Sequence, residues 1–216
     1  GNYLSVSDWA DLWIHEGFAV YMEALYIEEK YGIDEYNKFF RKKIIKKIPL
    51  TQSIVPHRNA TIENVSGLDP YNKGAYVLHM LRYLIGDDKF FEILSEFLYS
   101  KKQLPNNQVT TKDFIDLVHL KIENKIDWFF KSYLYEKDYP VLIQNTKHGS
   151  NHTFIELYWE NKNFSMPVEV YYNSNTGLRH RKLSLTNKPT MIAIPQHNKI
   201  KIDPNKRILL TVKNKS

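Results

Sequence analysis

Two stretches of this sequence hold residue types from which a catalytic site can be built. The first, Asp8-Trp9-Ala10-Asp11-Leu12-Trp13-Ile14-His15-Glu16-Gly17-Phe18-Ala19-Val20-Tyr21-Met22-Glu23, centres on the carboxylate of Glu16. The second, Asp69-Pro70-Tyr71-Asn72-Lys73-Gly74-Ala75-Tyr76-Val77-Leu78-His79-Met80-Leu81, carries the phenol of Tyr71. Carboxylates hold metal ions or move protons, and a phenol donates a hydrogen bond to developing negative charge. Taken alone, neither residue is decisive. A Glu in the early turns of a helix is ordinarily a surface residue favoured by the macrodipole, and one tyrosine among fifteen is ordinarily a packing residue. Cysteine is absent, which removes disulfides, thiol nucleophiles and thiolate zinc sites together. His15 stands beside Glu16, and the other seven histidines, His57, His79 and His119 among them, have no metal-binding spacing.

Rigid elements must hold these residues, and the hydrophobic pattern supplies candidates. Ser7 or Asp8 is a good N-cap for a helix running to about Tyr31, with Leu12, Ala19, Met22 and Tyr26 as one buried stripe and Gly32 as the stop. A second helix starts at Asp34, carries Tyr36, Phe39, Phe40 and Ile44, and ends before Pro49. Residues 50–69 read as a loop without periodicity. A third helix begins near Pro70 and ends at Gly86, so Tyr71 falls at a loop-to-helix junction. Asp87 caps a fourth, Thr110 or Thr111 a fifth after a Pro105-Asn106-Asn107 turn, and Asp127 opens a short last one to Leu134. From Val141 the apolar residues alternate instead. Strands are predicted at Phe154–Trp159, Met166–Tyr172, Arg179–Leu185, Met191–Ile194, Ile200–Ile202 and Ile208–Val212, the pattern of a small antiparallel sandwich.

The first stretch resembles the W-x-D-L-W-L-N-E-G-F-A-x-Y-x-E segment of the M1 (gluzincin) metallopeptidases, and the second resembles that family's Y-x-K-G segment with its apolar helix. Weaker likenesses run on through Asp127–Leu134, Tyr139–Leu142, Phe164–Val168 and Ile202–Pro204. The resemblance implies an α+β chain: the helical half of a thermolysin-like catalytic domain over residues 1–138, then an antiparallel β-sandwich over 139–216. It implies Glu16 as the third ligand of a catalytic Zn²⁺, beside the two histidines of an HExxH helix, and Tyr71 as the donor that stabilises the oxyanion. Glu23, one heptad further on, falls on the face of Glu16 and is a candidate to orient a ligand histidine. His15 stands where the family has Asn and is not expected to be a ligand. The register implies that Gly1-Asn2 follow directly on a missing HExxH-Gln-Trp-Phe, and the amine-binding G-x-M-E-N segment is also missing. The chain is therefore expected to be a C-terminal fragment, inactive alone and unable to hold the one zinc of the full-length enzyme.

The composition agrees with a folded chain, 43% hydrophobic and 25% charged. Its net charge of +6, with lysine runs at Arg41–Lys43, Lys46–Lys47 and Lys213–Lys215, reads as a solvated basic surface, without the aromatic platforms of a nucleic-acid groove. No apolar run is long enough to span a bilayer. The expected partners are a peptide substrate and the missing N-terminal part of the same polypeptide, with no nucleic acid. Two other readings stay open on these residues: an epoxide hydrolase of the leukotriene hydrolase type, and a non-catalytic M1-like scaffold.

Overall fold

Asp8 begins the helical architecture, as a carboxylate placed before an apolar-periodic stretch should. Its backbone is extended and its side chain accepts the Ala10 N–H at 2.9 Å, which caps one 3-10 turn, Trp9–Asp11, leading into α1, Leu12–Tyr31. The computed structural model describes residues 4–49, 52–65, 69–99, 108–196 and 198–215. Two compact units divide it, Gly1–Asp138 and Tyr139–Ser216.

In the first unit α1 ends at Gly32, whose φ of +86° is open to glycine, and α2 follows at Ile33–Lys38, widening into a π-helix over Phe39–Ile44. The 50–69 stretch is not loop throughout. Ile54 and Val55 are buried, both N–H groups donate to the Leu134 carbonyl, and a helical turn, α3, forms at Ile62–Val65. Helix α4 spans Asn72–Ile85 and begins two residues later than Pro70, because the Asp69 carboxylate accepts the Asn72 N–H at 2.7 Å and makes Pro70-Tyr71 the entry turn. Asp87 is the first residue of α5, Asp87–Tyr99, and its carboxylate is taken by Arg82. Thr110 caps α6, Thr111–Lys121, in a reciprocal capping box with Asp113. Helix α7, Asp127–Phe130, runs on as a π-helix to Tyr135. Two short strands escaped the sequence reading: β1, Ser5–Val6, pairs in parallel with β2, Gln108–Val109. The Pro105–Asn107 turn lies outside the described residues.

The stripe expected to be buried on α1 is the wrong one. Ala19 is exposed, Met22 is 38% and Tyr26 60% exposed, and the buried face is Trp13, Ile14, Gly17, Phe18, Tyr21 and Ala24. That face has the larger partners. Trp13 and Phe18 pack with Phe97 and Phe114, while Tyr21 joins Tyr36, Phe40, Tyr76, His79 and Phe90. His79 is a core residue, stacked on Phe40 and bonded through Nδ1 to the Tyr36 hydroxyl at 2.8 Å.

Among its described residues the second unit is a seven-stranded sandwich. One sheet orders β7(Thr190–Pro195)-β4(His152–Trp159)-β3(Val141–His148)-β9(Thr211–Lys215); the other orders β6(Gly177–Ser184)-β5(Pro167–Ser174)-β8(Ile200–Ile202). All pairs are antiparallel except β3–β9, which runs parallel, since the chain returns from β8 through a crossing segment rather than a hairpin. Thr153, Ile155, Leu157 and Trp159 alternate into the core, and the Trp159 indole donates to the Met166 carbonyl at 2.9 Å. The fold is α+β, helices followed by sheets.

Candidate active site

Glu16 sits in the second turn of α1, one residue before the glycine on which the helix packing turns. A Cβ built on Gly17 would stand 2.7 Å from the Gly74 carbonyl carbon, and one on Gly74 would stand 3.0 Å from the Gly17 Cα. The backbones of α1 and α4 therefore touch, which side chains of any size would prevent. Glu16 precedes one glycine and Tyr71 lies three residues before the other, so this contact brings the carboxylate and the phenol together. Tyr71 is 47% exposed. Partial burial raises the phenol pKa, and the charge of the nearby Glu16 carboxylate raises it further.

The turn that carries Tyr71 is fastened from behind. Lys73 is fully buried and its ammonium donates to the Gln52 carbonyl. The Gln52 side chain accepts the Asp69 N–H at 2.8 Å, and Asp69 in turn caps α4. Burial holds Lys73 down to about 8, with the Asp69 charge opposing that shift. Gln52 itself is tied through its N–H to the Lys137 carbonyl. The sequence reading missed Gly17, Gly74, Lys73 and Gln52; the first three were visible as the glycine and lysine of the two motifs, but nothing in the pattern marked Gln52.

The start of the first motif is a structural clamp. Asp11, 1% exposed, accepts Arg58 Nη1 at 2.6 Å and the Thr111 N–H at 2.8 Å, and the Trp13 indole donates to the Thr111 hydroxyl at 2.9 Å. Asp8 adds the Asn59 and Ala60 N–H groups, and its carboxyl is held below the usual range, first by the Ala10 N–H. A cleft of about 890 Å³ beside this clamp is lined by Asp11, His57, Arg58 and Tyr135, among others, and includes neither Glu16 nor Tyr71. Glu23 is exposed and pairs with Lys43 at 3.0 Å. His15 is half-buried, with its pKa lowered by burial and its Nε2 without a hydrogen-bond partner. Among the described residues no group of three or more His, Cys, Asp or Glu side chains converges as a metal would require.

Comparison with known proteins gives the arrangement its context. A family model described as "Peptidase family M1 domain" matches residues 1–133, which include both motifs and every residue of the Tyr71 fastening but Lys137. The chain belongs to peptidase family M1. Within M1, this chain is 31% identical over 105 residues to human endoplasmic reticulum aminopeptidase 2, which covers 45% of the chain and 11% of that protein. Rat aminopeptidase N is 25% identical over 171 residues, 69% of the chain and 17% of its own length. Pig glutamyl aminopeptidase is 26% identical over 197 residues, 83% and 20%. The chain thus spans a fifth or less of these M1 relatives. In fold it matches a crystal structure of Legionella pneumophila aminopeptidase A in complex with aspartic acid, with a TM-score of 0.72 and 16% identity over 99% of this chain and 25% of that one.

Proposed function

We propose that this chain is part of a zinc-dependent aminopeptidase that removes N-terminal residues from peptides, with Glu16 as a metal ligand and Tyr71 as the donor to the oxyanion. The observation that carries the reading is the meeting of Glu16 and Tyr71 at the Gly17–Gly74 contact, inside the segment that matches the M1 family.

Zinc, when bound, supplies a Lewis acid that polarises the scissile carbonyl and makes water acidic enough to attack near neutral pH. Glu16 offers it carboxylate oxygens, an accepted donor beside imidazole nitrogens, and α1 fixes their direction. Tyr71 keeps its proton through the neutral range, as an ordinary phenol does, and the upward shift of its pKa reinforces this, so it enters the reaction as a donor. Its O–H points its positive end at the oxygen where charge develops, and the Lys73–Gln52–Asp69 fastening limits how far the ring base can move. The fit to zinc is partial. This chain supplies one carboxylate; the other donors and the general base have to come from an HExxH segment, which its sequence does not contain. The polypeptide by itself is expected to be inactive.

Metal analysis tests the reading. The parent polypeptide carrying the HExxH segment is expected to hold one zinc, to lose it in Glu16→Gln and to keep it in Tyr71→Phe. This chain alone is expected to hold none. Stoichiometric zinc in the Glu16→Gln parent, or in this chain by itself, contradicts the assignment.

A further inference from the structure

The charge of the chain is divided unevenly between its units. Residues 139–216 hold twelve of the 30 lysines and arginines but four of the 24 acidic residues, so this unit carries +8 and residues 1–138 carry −2. The three-stranded sheet concentrates the excess. Its edge strand β6 reads Leu178-Arg179-His180-Arg181-Lys182, all exposed, and Lys201 on β8 stands across Tyr171 from His180. Lys206 and Arg207 follow in the turn after β8. The two acids of this region are withdrawn. Asp203, 2% exposed, accepts the Arg207 and Ile208 N–H groups, and Glu169, 9% exposed, is held by Asn205.

One observation goes beyond a well-solvated surface: the Arg207 Nε is buried without a hydrogen-bond partner. Charges on an edge strand block pairing with other chains, which accounts for one or two cations on β6. It does not account for the further cations on β8 and in the turn after it, Lys201, Lys206 and Arg207. At the hairpin tip the chain turns at Gly177, φ +109°, and presents Leu178, 67% exposed, directly beside Arg179. A cationic sheet edge with an apolar tip matches the boundary between headgroups and acyl chains. It matches a polynucleotide less well, because the ring of Tyr171 is already stacked by His180 at 4.4 Å and offers no free platform.

We propose that the β5–β6 hairpin docks edge-on on an anionic lipid surface, with the cations of both faces of β6, Arg179 and Arg181 on one and Lys182 on the other, reaching the headgroups and Leu178 entering the boundary. The proposal is independent of the peptidase reading.

Cosedimentation of the whole chain with vesicles tests it, comparing phosphatidylcholine alone with an equal mixture of phosphatidylcholine and phosphatidylserine. The chain is expected to bind the mixed vesicles only, and less as salt is raised. Joint Arg179→Ser, Arg181→Ser and Lys182→Ser substitution is expected to weaken binding on the order of a hundredfold, at about fivefold for each cation. Leu178→Ser is expected to weaken it about tenfold. Lys42→Ser with Lys46→Ser, in the other unit, should change nothing. Lys201→Glu, on β8, gives a second charge variant should the triple one not fold. Absence of binding, equal binding to neutral vesicles, or unchanged binding by the charge variants overturns the proposal. Binding to single-stranded polynucleotide without vesicle binding overturns it in favour of a nucleic-acid partner.

Discussion

Helices α1 and α4 run side by side in the same direction, and their two ends are built on different physics. At the N-terminal end Gly17 and Gly74 let the backbones touch, and Glu16 and Tyr71 are left half open to solvent. About 18 Å further along, twelve residues of helix, Glu28 and Arg82 meet at 2.9 Å with Asp87 as a second partner, over the rings of Tyr36 and Phe91. The far end satisfies its charges among themselves and is expected to contribute stability. The near end gives up side-chain packing to bring two polar groups together, and is expected to contribute chemistry.

The contrast can be broken most severely at the glycines. Gly17→Ala sets a Cβ 2.7 Å from backbone that cannot swing away, so the helices must separate. The expected cost is about 3 kcal/mol in urea unfolding, with loss of the Glu16–Tyr71 contact. At the far end, Glu28→Gln leaves Arg82, 8% exposed, with part of its charge unmatched, at an expected cost of about 2 kcal/mol by the same assay. Glu16→Gln, by contrast, should change stability by no more than about 0.5 kcal/mol. Equal costs for Glu16→Gln and Glu28→Gln would erase the distinction between the ends.

Two pH experiments sharpen it. The pKa of Lys73 is about 8 when folded, against an ordinary 10.5. Between those values the unfolded chain binds the proton and the native one does not, so Lys73 makes stability rise with pH across that window. The difference in urea midpoint between the native chain and Lys73→Met should therefore grow from pH 8 to 10.5. The smallest effect is at Asp8, whose folded pKa lies below the ordinary 3.8. Its contribution is present above that value and lost as pH falls through the folded pKa; Asp8→Ala should cost about 1 kcal/mol at neutral pH and nothing in strong acid.

Much of this was legible in the sequence, for definite reasons. Helix starts were expected at Ser7 or Asp8 and at Thr110 or Thr111, by chemistry that acts within three residues; Asp8 caps the 3-10 turn that leads into α1, and Thr110 caps α6. The change from helical to alternating periodicity located β4 to β8, because local patterning is what sheets and helices impose; β3 was not marked, and the strand expected at Ile208–Val212 lies three residues later, at Thr211–Lys215, since Ile208 and Leu209 are buried outside the ladder. The buried face of α1 was not legible. Trp13-Gly17-Tyr21-Ala24 and Leu12-Ala19-Met22-Tyr26 both recur at helical spacing, and the choice between them belongs to α4, α5 and α6, which periodicity cannot see. The parallel β3–β9 pair and the β1–β2 pair were hidden for the same reason, since their partners are distant in sequence. At the candidate site the two motifs picked out Glu16 and Tyr71 as residues, while the Gly17–Gly74 contact and the Gln52 tie that bring and hold them together came only from the structure.

The most direct measurement is steady-state hydrolysis of aminoacyl anilides by the parent polypeptide, comparing Tyr71 with Tyr71→Phe at equal zinc content. Loss of the phenolic donor should lower kcat on the order of a hundredfold or more with KM little changed. Undiminished kcat in Tyr71→Phe would contradict the account.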